Sequence, residues 1–336
     1  MSDIAKQLGI APSTVSNALS GRRFVEPELR QRILETADAL DYRPSGIARA
    51  LRLQRTSTIA LMVADFGSSN SLLSVRAIED EALPENYQLI ICNTSFDEER
   101  EARHIDLLVD QRVNGVIVMS SSLHDVHIKR LQQESIHTVQ LSRRSMDVSA
   151  DFVGVNNFAG IESALTHLWE LGHREIVFLG GQPETSSVTQ EKLRAFNDGI
   201  AKRGTSPAPF IATDFSFEDG YRAMVELLED PDRRFTAVLA VNDMTALAAI
   251  DAALERGLRV PQDLSVVGWD DSVLASLRTV QLTTVRQPMY EMGRAAARLL
   301  LQRLNGTRDE PTAQIFDPEL IVRGTTAPPA HSAPTA

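Results

Sequence analysis

Cysteine, aromatic residues and long apolar runs are all scarce in this chain of 336 residues. Cys92 is the only cysteine, which excludes an intramolecular disulfide and a cysteine-based metal cluster. The residues around it, Leu-Ile-Ile-Cys-Asn, are typical of a buried strand, so we interpret Cys92 as an inert thiol of the core. No segment approaches the roughly 18 apolar residues of a membrane helix, and no secretory signal opens the chain. We therefore expect a cytoplasmic protein with no membrane partner.

The sequence also lacks the short motifs that mark common enzymes. It contains no G-x-G-x-x-G, G-x-x-x-x-G-K-[ST], H-E-x-x-H or G-x-S-x-G. The seven histidines are scattered and do not indicate a metal site. These absences argue against an enzyme, and we predict no catalytic residue, no metal and no cofactor.

The charge is distributed unevenly along the chain. The net charge of −11 by itself argues against nucleic acid, but residues 1–55 carry 9 basic and 6 acidic side chains. A small basic segment on a large acidic body fits a DNA-binding module joined to a regulatory domain. The length allows two or three domains. Their cores must be mostly aliphatic, because 43% of residues are hydrophobic and 5% are aromatic.

Residues 3–20 have the pattern of a helix-turn-helix. Residues 3–8 predict a short helix that Ser2 can cap, and Gly9 follows as a turn residue. The second helix begins at Pro12, because a missing N–H costs nothing at a first helical position. One face of this helix carries small polar side chains: Ser13, Ser16, Asn17 and Ser20. We predict that this face reads the major groove of DNA; the alternative is an ordinary three-helix subdomain.

A third helix is predicted over residues 27–40, and a shorter helix follows Pro44. With about eight residues, the shorter helix is not stable alone in water. It places Leu51 between Arg49 and Arg52, and an apolar wedge flanked by cations is suited to insertion into a minor groove. The alternative interpretation is an ordinary linker.

From Thr58 onward, apolar runs alternate with helical patterns. Strands are predicted at residues 59–63, 89–92, 116–119, 138–141, 176–179, 238–241 and 265–269. Helices are predicted at residues 72–83, 98–111, 126–134, 158–171, 188–203, 218–229, 243–256 and 288–304. This alternation indicates parallel sheets covered on both faces. A second series restarts near Val153, so we expect two similar α/β units. Polar residues at the carboxyl ends of the strands predict a ligand cleft between the two units.

Five segments stand in a recognisable order: DIAKQLGIAPSTVSNALSG, DYRPSGIARALR, LGHREIVFLGG, VNDMTALAAIDAALERGLRVPQDLSVVGWDD and LTTVRQPMYEMG. Together they resemble the LacI/GalR family of bacterial transcription regulators over about residues 3–326. The resemblance implies an all-α helix-turn-helix head followed by an α/β body of two Rossmann-like subdomains of the periplasmic-binding-protein type. It also implies that the chain crosses between the subdomains near residues 155, 285 and 317.

The resemblance implies the following domain boundaries. Residues 1–42 form the DNA-binding head, and residues 43–56 the hinge helix and linker. Residues 57–326 form the effector-binding and dimerisation domain. Its N-subdomain comprises about 57–155 and 286–317, and its C-subdomain about 156–285 and 318–326. We expect residues 327–336 to be a disordered tail, since they have no periodicity.

Pattern and resemblance together give two sets of candidate site residues. The DNA-binding set is Ser13, Thr14, Ser16, Asn17, Ser20, Arg22, Arg49, Leu51 and Arg52. The effector-binding set is Asn70, Ser71, Ser142, Arg143, Lys192, Phe215, Asn242, Trp269 and Asp270. Two alternatives stay open within the second set. Asn242 and Asp270 can instead be helix caps or strand-end satisfiers, and Phe215 and Trp269 can instead be core residues.

Four positions depart from the family pattern. Asn70 and Ser71 stand where paired aromatic residues are common, which weakens a stacked purine and favours a smaller or more polar effector. Ser142 stands where Asp is usual, and Lys192 stands where Arg is usual. Lysine cannot make the planar two-point contact of arginine. The sugar-binding pattern is therefore only partly present.

We predict a dimeric, ligand-responsive regulator that binds a near-palindromic operator and is switched by a small polar effector such as a sugar. We favour a repressor over an activator. A tetramer is not excluded. The alternatives are the same regulator responding to a nucleoside or sugar phosphate, and an α/β ligand-binding protein or enzyme without DNA function.

Overall fold

The computed structural model describes residues 1–20, 23–40, 42, 56–119, 126–145, 148–184, 186–205 and 210–330. The chain divides into two compact units, Met1–Thr56 and Ser57–Ala336. The hinge residues Arg49, Leu51 and Arg52 lie outside the described residues, as does Arg22.

The first unit contains three helices, α1 (Ser2–Leu8), α2 (Pro12–Ser20) and α3 (Pro27–Ala39). Their apolar faces enclose a small aliphatic core made of Ile4, Ala5, Val15, Ala18, Ile33 and Ala37. Gly9 ends α1 with a left-handed backbone, φ 63°, which allows the tight turn into α2. Helix α2 begins at Pro12, as predicted. The predicted cap Ser2 is wrong: Met1 is the N-cap and no side chain caps α1, so Ser2 lies inside the helix.

The second unit contains two six-stranded sheets that repeat the same order of strands. Sheet A consists of β1 (Thr58–Val63), β2 (Gln88–Asn93), β3 (Gly115–Met119), β4 (His137–Leu141), β5 (Asp151–Val155) and β11 (Ala313–Phe316). Sheet B consists of β6 (Ile176–Gly180), β7 (Phe210–Ala212), β8 (Ala237–Ala240), β9 (Ser265–Asp270), β10 (Thr283–Arg286) and β12 (Glu319–Ile321). The spatial orders are β2-β1-β3-β4-β5-β11 and β7-β6-β8-β9-β10-β12. Every pairing is parallel except that of β10 with β12.

Helices cover both sheets, as the buried parallel strands require. They are α4 (Ser69–Ala82), α5 (Glu98–Asp110), α6 (Val126–Gln133), α7 (Asn157–Glu170), α8 (Ser187–Lys202), α9 (Phe217–Glu229), α10 (Asp243–Glu255) and α11 (Met289–Leu304). Helix α11 follows strand β10 of sheet B in the chain but packs on sheet A, where Met292, Ala296 and Leu300 are fully buried. None of the described helices has both the length and the apolar character needed to span a membrane.

The sheets correct several sequence-based expectations. The second α/β series begins at β6, not near Val153, because Val153 lies in the fifth strand of sheet A. Five strands were not predicted: β5, which has five residues, and β7, β10, β11 and β12, each of which has only three or four. Ala327 is part of the fold and not of a disordered tail: its N–H donates to Ser265 Oγ at 3.0 Å, and its carbonyl lies 2.9 Å from His173 Nε2.

A buried carboxylate joins the end of α11 to strand β5 of sheet A. Asp151 begins β5 and is 1% exposed. Its Oδ2 accepts from Arg303 Nε at 2.9 Å, and its Oδ1 accepts from Arg308 Nη1 at 2.7 Å and from the Thr312 backbone at 2.8 Å. Burial raises the pKa of Asp151, but hydrogen bonds from Arg308 and Arg303 outweigh this, so its pKa lies below the usual range. The contact fixes the segment that leads from α11 into β11.

Candidate functional site

Asp270 lies at the carboxyl end of β9 and connects both halves of the second unit. Its Oδ1 accepts two hydrogen bonds, each 2.7 Å long, from Asn70 Nδ2 and from Gln287 Nε2. Asn70 belongs to α4 of the N-subdomain, and Gln287 lies where the chain crosses from β10 to α11. Burial raises the pKa of Asp270, and the neighbouring Asp243 raises it further, while Lys192 lowers it. Asp270 is therefore a shared acceptor for amide donors.

Lys192 lies beneath this acceptor on α8. Its ammonium donates to the carbonyl of Val241 at 3.0 Å and lies 3.7 Å from the centre of the Trp269 ring. The side chain is buried, and burial lowers the pKa of Lys192, while Asp270 and Asp243 oppose this shift. A cation over an indole face is stabilised by the ring quadrupole, and this is strongest where water is excluded.

Trp269 and Asn242 take the structural roles that the sequence left open. Trp269 is fully buried in the core of sheet B, and its ring approaches Gly160 so closely that a Cβ there would lie 2.5 Å from Cη2. Asn242 caps α10: its Oδ1 accepts from Thr245 N at 2.7 Å. Its Nδ2 donates to the carbonyl of Phe215 at 3.0 Å, which fixes the β7–α9 loop. Trp269 therefore positions Lys192, and Asn242 positions the loop that carries Phe215.

Ser71, Ser142 and Arg143 were predicted to contact the effector, and their side chains have different surroundings. Ser71 is 2% exposed and donates to the carbonyl of Asp65 at 2.5 Å, so it closes the β1–α4 turn and is not available as the effector contact we predicted. Ser142 has a left-handed backbone, φ 64°, and among the described residues its buried hydroxyl has no hydrogen-bond partner. Arg143 is buried directly after it. The Ser142 hydroxyl is therefore available to a ligand.

Three residues of the site were missed by sequence reasoning. Gln287 carries no signal of its own, since it is one glutamine in a loop. Asp243 was visible only as a strand-end residue; it is buried and accepts from Thr284 Oγ1 and from the Ser272 backbone, both at 2.6 Å. Burial raises the pKa of Asp243. Phe96 stacks on Phe215 with ring centres 5.6 Å apart and planes 9° apart.

The predicted DNA-reading residues lie on α2 of the first unit. Ser13 is exposed, and Thr14, Ser16 and Asn17 are half-buried, while Val15 and Ala18 of the same helix are buried in the core. Helix α2 thus has an apolar face packed inward and a polar face directed outward, as predicted. Ser20 ends the helix. Arg22, Arg49, Leu51 and Arg52 lie outside the described residues, so their roles stay predictions.

Comparison with known proteins agrees with this division of the chain. Residues 1–45 match the model of bacterial regulatory proteins of the lacI family, and residues 165–326 match a periplasmic binding protein-like domain. The ribose operon repressor of Escherichia coli is 31% identical over 329 residues, which cover 96% of this chain and 98% of that protein.

Solved structures show the same architecture. The chain of a transcriptional regulator CelR–cellobiose complex has 28% identity and a TM-score of 0.74, covering 96% of this chain and 98% of the other. The lac repressor dimer bound to operator and the anti-inducer ONPF has 24% identity and a TM-score of 0.85, covering 97% and 98%.

A helix-turn-helix unit followed in the chain by two α/β subdomains, an organisation shared with these regulators, defines a DNA-binding transcription regulator. The chain belongs to the LacI family of bacterial regulatory proteins.

Proposed function

We propose that the cleft around Asp270 binds a small neutral polar effector, most simply a sugar, and that this binding switches the affinity of the head for operator DNA. The observation that carries the proposal is the sharing of one carboxylate by two amides from different elements, Asn70 and Gln287. A carboxylate flanked by amides is an arrangement that binds the vicinal hydroxyls of a sugar, because each hydroxyl both donates and accepts.

The charges of the cleft favour a neutral ligand over a phosphorylated one. Asp270 and Asp243 are two acidic groups in this region, and the buried Lys192 already donates to the carbonyl of Val241. A phosphate placed here would have to compete with the Val241 carbonyl for the Lys192 ammonium, whereas a neutral hydroxyl can donate to and accept from these carboxyl groups. Two relatives support the sugar class: one is named a ribose operon repressor, and another was solved with cellobiose.

The switch acts through the relative positions of the two subdomains. Asp270 lies on sheet B, and Asn70 lies on α4, the helix after strand β1 of sheet A. A ligand that replaces their hydrogen bond with its own hydroxyls therefore changes the balance between two arrangements of the subdomains. Its effect on DNA binding equals its difference in affinity for those arrangements.

A homodimer is the assembly that this mechanism requires. The exposed face of α2 offers short side chains, of which Asn17 is the best single reader of a base, with a preference for adenine. One such helix specifies few base pairs, whereas two heads across a two-fold axis read a near-palindromic operator. We place the protein in the cytoplasm, where operator DNA lies.

The test is a thermal-shift screen with ribose, cellobiose, polyols, nucleosides and sugar phosphates. We expect neutral sugars to raise the melting temperature of the protein and the Asp270→Asn variant to lose that response. Asp232→Asn, a change at an exposed aspartate of the same subdomain, is the matched control and should respond like the original chain. A response confined to nucleosides or phosphorylated compounds would refute the neutral-sugar assignment.

The DNA-binding half is tested separately. Duplexes selected from a random pool by the purified protein should contain a near-palindrome, and their fluorescence anisotropy should report binding. Each sugar that raises the melting temperature is then added to the complex, and the change in affinity gives the direction of the switch. An affinity that no thermal-shift ligand alters would refute the coupling between the cleft and the head.

A further inference from the structure

The loops that carry Phe96 and Phe215 occupy equivalent places in the two subdomains. Each follows the outermost strand on the same side of its sheet, β2 in sheet A and β7 in sheet B. Each leads directly into the N-cap of the next helix, Asp97 for α5 and Ser216 for α9. The two aromatic rings are therefore a pair related by the internal repeat of the fold.

The backbone and side-chain contacts of the two loops repeat as well. Thr94 donates through its N–H and its hydroxyl to the carbonyl of Val63, the last residue of β1, at 2.8 and 3.3 Å. Thr213 makes the same two bonds to the carbonyl of Gly180, the last residue of β6, at 2.6 and 3.0 Å. A threonine thus anchors each loop to the first strand of its sheet, and an aromatic residue follows two positions later.

Both aromatic residues adopt a backbone conformation that large side chains avoid. Phe96 has φ 57° and Phe215 has φ 72°, in the left-handed region that favours glycine. A further hydrogen bond holds each loop in this conformation. Ser95 Oγ accepts from Arg100 Nη1 at 2.7 Å, and the carbonyl of Phe215 accepts from Asn242 at 3.0 Å. Such conformations persist where the surroundings hold them, and they concentrate at functional sites.

Phe215 packs against the core of sheet B, but the strained backbone of Phe96 is not explained by packing into a core. Phe96 is 50% exposed and belongs to no buried cluster among the described residues. The contact that the braced loop gives it is the stack on Phe215, across the cleft. Phe215 in turn lies over Gly181, where a Cβ would stand 2.1 Å from its Cζ, so the absence of a side chain there makes room for the ring.

We propose that Phe96 and Phe215 form an aromatic clasp, one ring from each subdomain, that holds the cleft closed and makes Phe96 a further determinant of effector affinity. The clasp complements the hydrogen bond between Asn70 and Asp270, which joins the same two halves through polar groups. It also places an aromatic residue of the N-subdomain at the cleft although Asn70 and Ser71 replace the paired aromatics common in the family. The effect on affinity rests on the proposed effector function; the effect on closure does not.

Closure is tested first, without any ligand. Cysteines introduced at exposed Lys129 and Asp232, one in each subdomain, carry spin labels for a distance measurement by pulsed electron resonance. Labelled chains are diluted into excess unlabelled protein so that each distance lies within one protomer. Cys92 is buried, and burial raises the pKa of its thiol to about 11, so we expect the label to react with the introduced exposed cysteines and not with Cys92.

We expect Phe96→Ala to lengthen or broaden the distance distribution, and Phe96→Tyr to retain the original one because the stack is kept. Leu107→Ala is the matched control, since Leu107 is an equally exposed apolar residue of α5 outside the clasp. Phe215→Ala should reproduce the effect of Phe96→Ala, and the double variant should add little to either. An unchanged distribution in Phe96→Ala overturns the clasp.

Affinity is tested second, by calorimetric titration with ribose and with cellobiose. Aromatic stacking of this kind corresponds to about a 2- to 13-fold change in a binding constant, so Phe96→Ala should weaken the dissociation constant within that range. A normal affinity in a variant whose cleft has opened overturns the affinity assignment. If the original chain binds neither sugar, the proposed function fails for these probes, and the distance measurement still decides the clasp.

Discussion

Replacing Asp151 by asparagine tests how the end of α11 is held to sheet A. The carboxylate is 1% exposed and accepts three hydrogen bonds, two of them from Arg303 and Arg308. In Asp151→Asn the amide nitrogen faces one of these cations and the charge that balances both is gone. Removing one partner of a buried ion pair costs about 3–5 kcal/mol. The two arginine side chains are 15% and 19% exposed, so water partly compensates them and we expect about 2–4 kcal/mol.

The assay is urea unfolding of the full chain, followed by circular dichroism, with Glu162→Gln as the matched control. Glu162 also binds an arginine, Arg203, at 2.8 Å, but its side chain is 48% exposed. A surface pair contributes about 0–1 kcal/mol, so Glu162→Gln should change the free energy of unfolding little. A loss in Asp151→Asn no greater than that in Glu162→Gln would show that burial does not decide the strength of these pairs.

Comparing the original chain with Asp151→Asn also gives a pH dependence of stability whose sign is known. Because arginine bonds hold the pKa of Asp151 below its usual range, its contribution to stability is present above the unfolded-state value of about 3.9. It is lost as the pH falls through the lower, folded-state pKa. The difference in unfolding free energy between the original chain and Asp151→Asn should therefore be constant near neutral pH and shrink below about pH 4. A difference that grows on acidification would contradict this assignment.

Three further predictions concern the core, the cleft and the hinge. Gly160→Ala should cost about 1–3 kcal/mol in urea unfolding, because its Cβ would lie 2.5 Å from the buried Trp269 ring; no loss would show that the ring yields. Since burial raises the pKa of Asp270, unfolding free energy should fall as pH rises from about 4 toward neutrality, and Asp270→Asn should flatten that fall. Leu51→Ala should weaken operator binding in an anisotropy assay but leave effector affinity intact; unchanged operator affinity would contradict the minor-groove wedge.

Local sequence signals were enough for the elements whose neighbours in the chain determine them. Helix α2 begins at Pro12 and buries Val15, because a fixed φ and a 3.6-residue apolar period are properties of the segment itself. Most of the long parallel strands were predicted for the same reason, since strands buried on both faces have continuous apolar sequences. Strand β5 was missed although its five residues are buried, because Asp151 and Gly154 interrupt the apolar run. Strand β7, with three half-buried residues, has no such signal and gains its pairing only from β6.

In the candidate site, too, residues with a local signal could be predicted and their distant partners could not. Asp270 could be predicted because it ends a buried strand, where ligands bind in this class of sheet. Its hydrogen-bond donors could not: Asn70 is 200 residues away in sequence, and Gln287 lies in a crossing whose position only the fold defines. Trp269 was a candidate effector contact because of its position at a strand end, yet in the fold it is fully buried and Lys192 lies over its ring.

Sequence patterns predicted the alternation of strands and helices, the polar outer face of α2 and the polar strand ends, because these depend on propensity and on short-range periodicity. Which side chains meet depends on the fold. Two sheets of equal strand order bring the loops of Phe96 and Phe215 together, although the 116 residues 94–209 separate β2 from β7 and neither loop carries a signal of the other. Contacts of this kind follow from packing two similar units face to face, and no local window of sequence contains both partners.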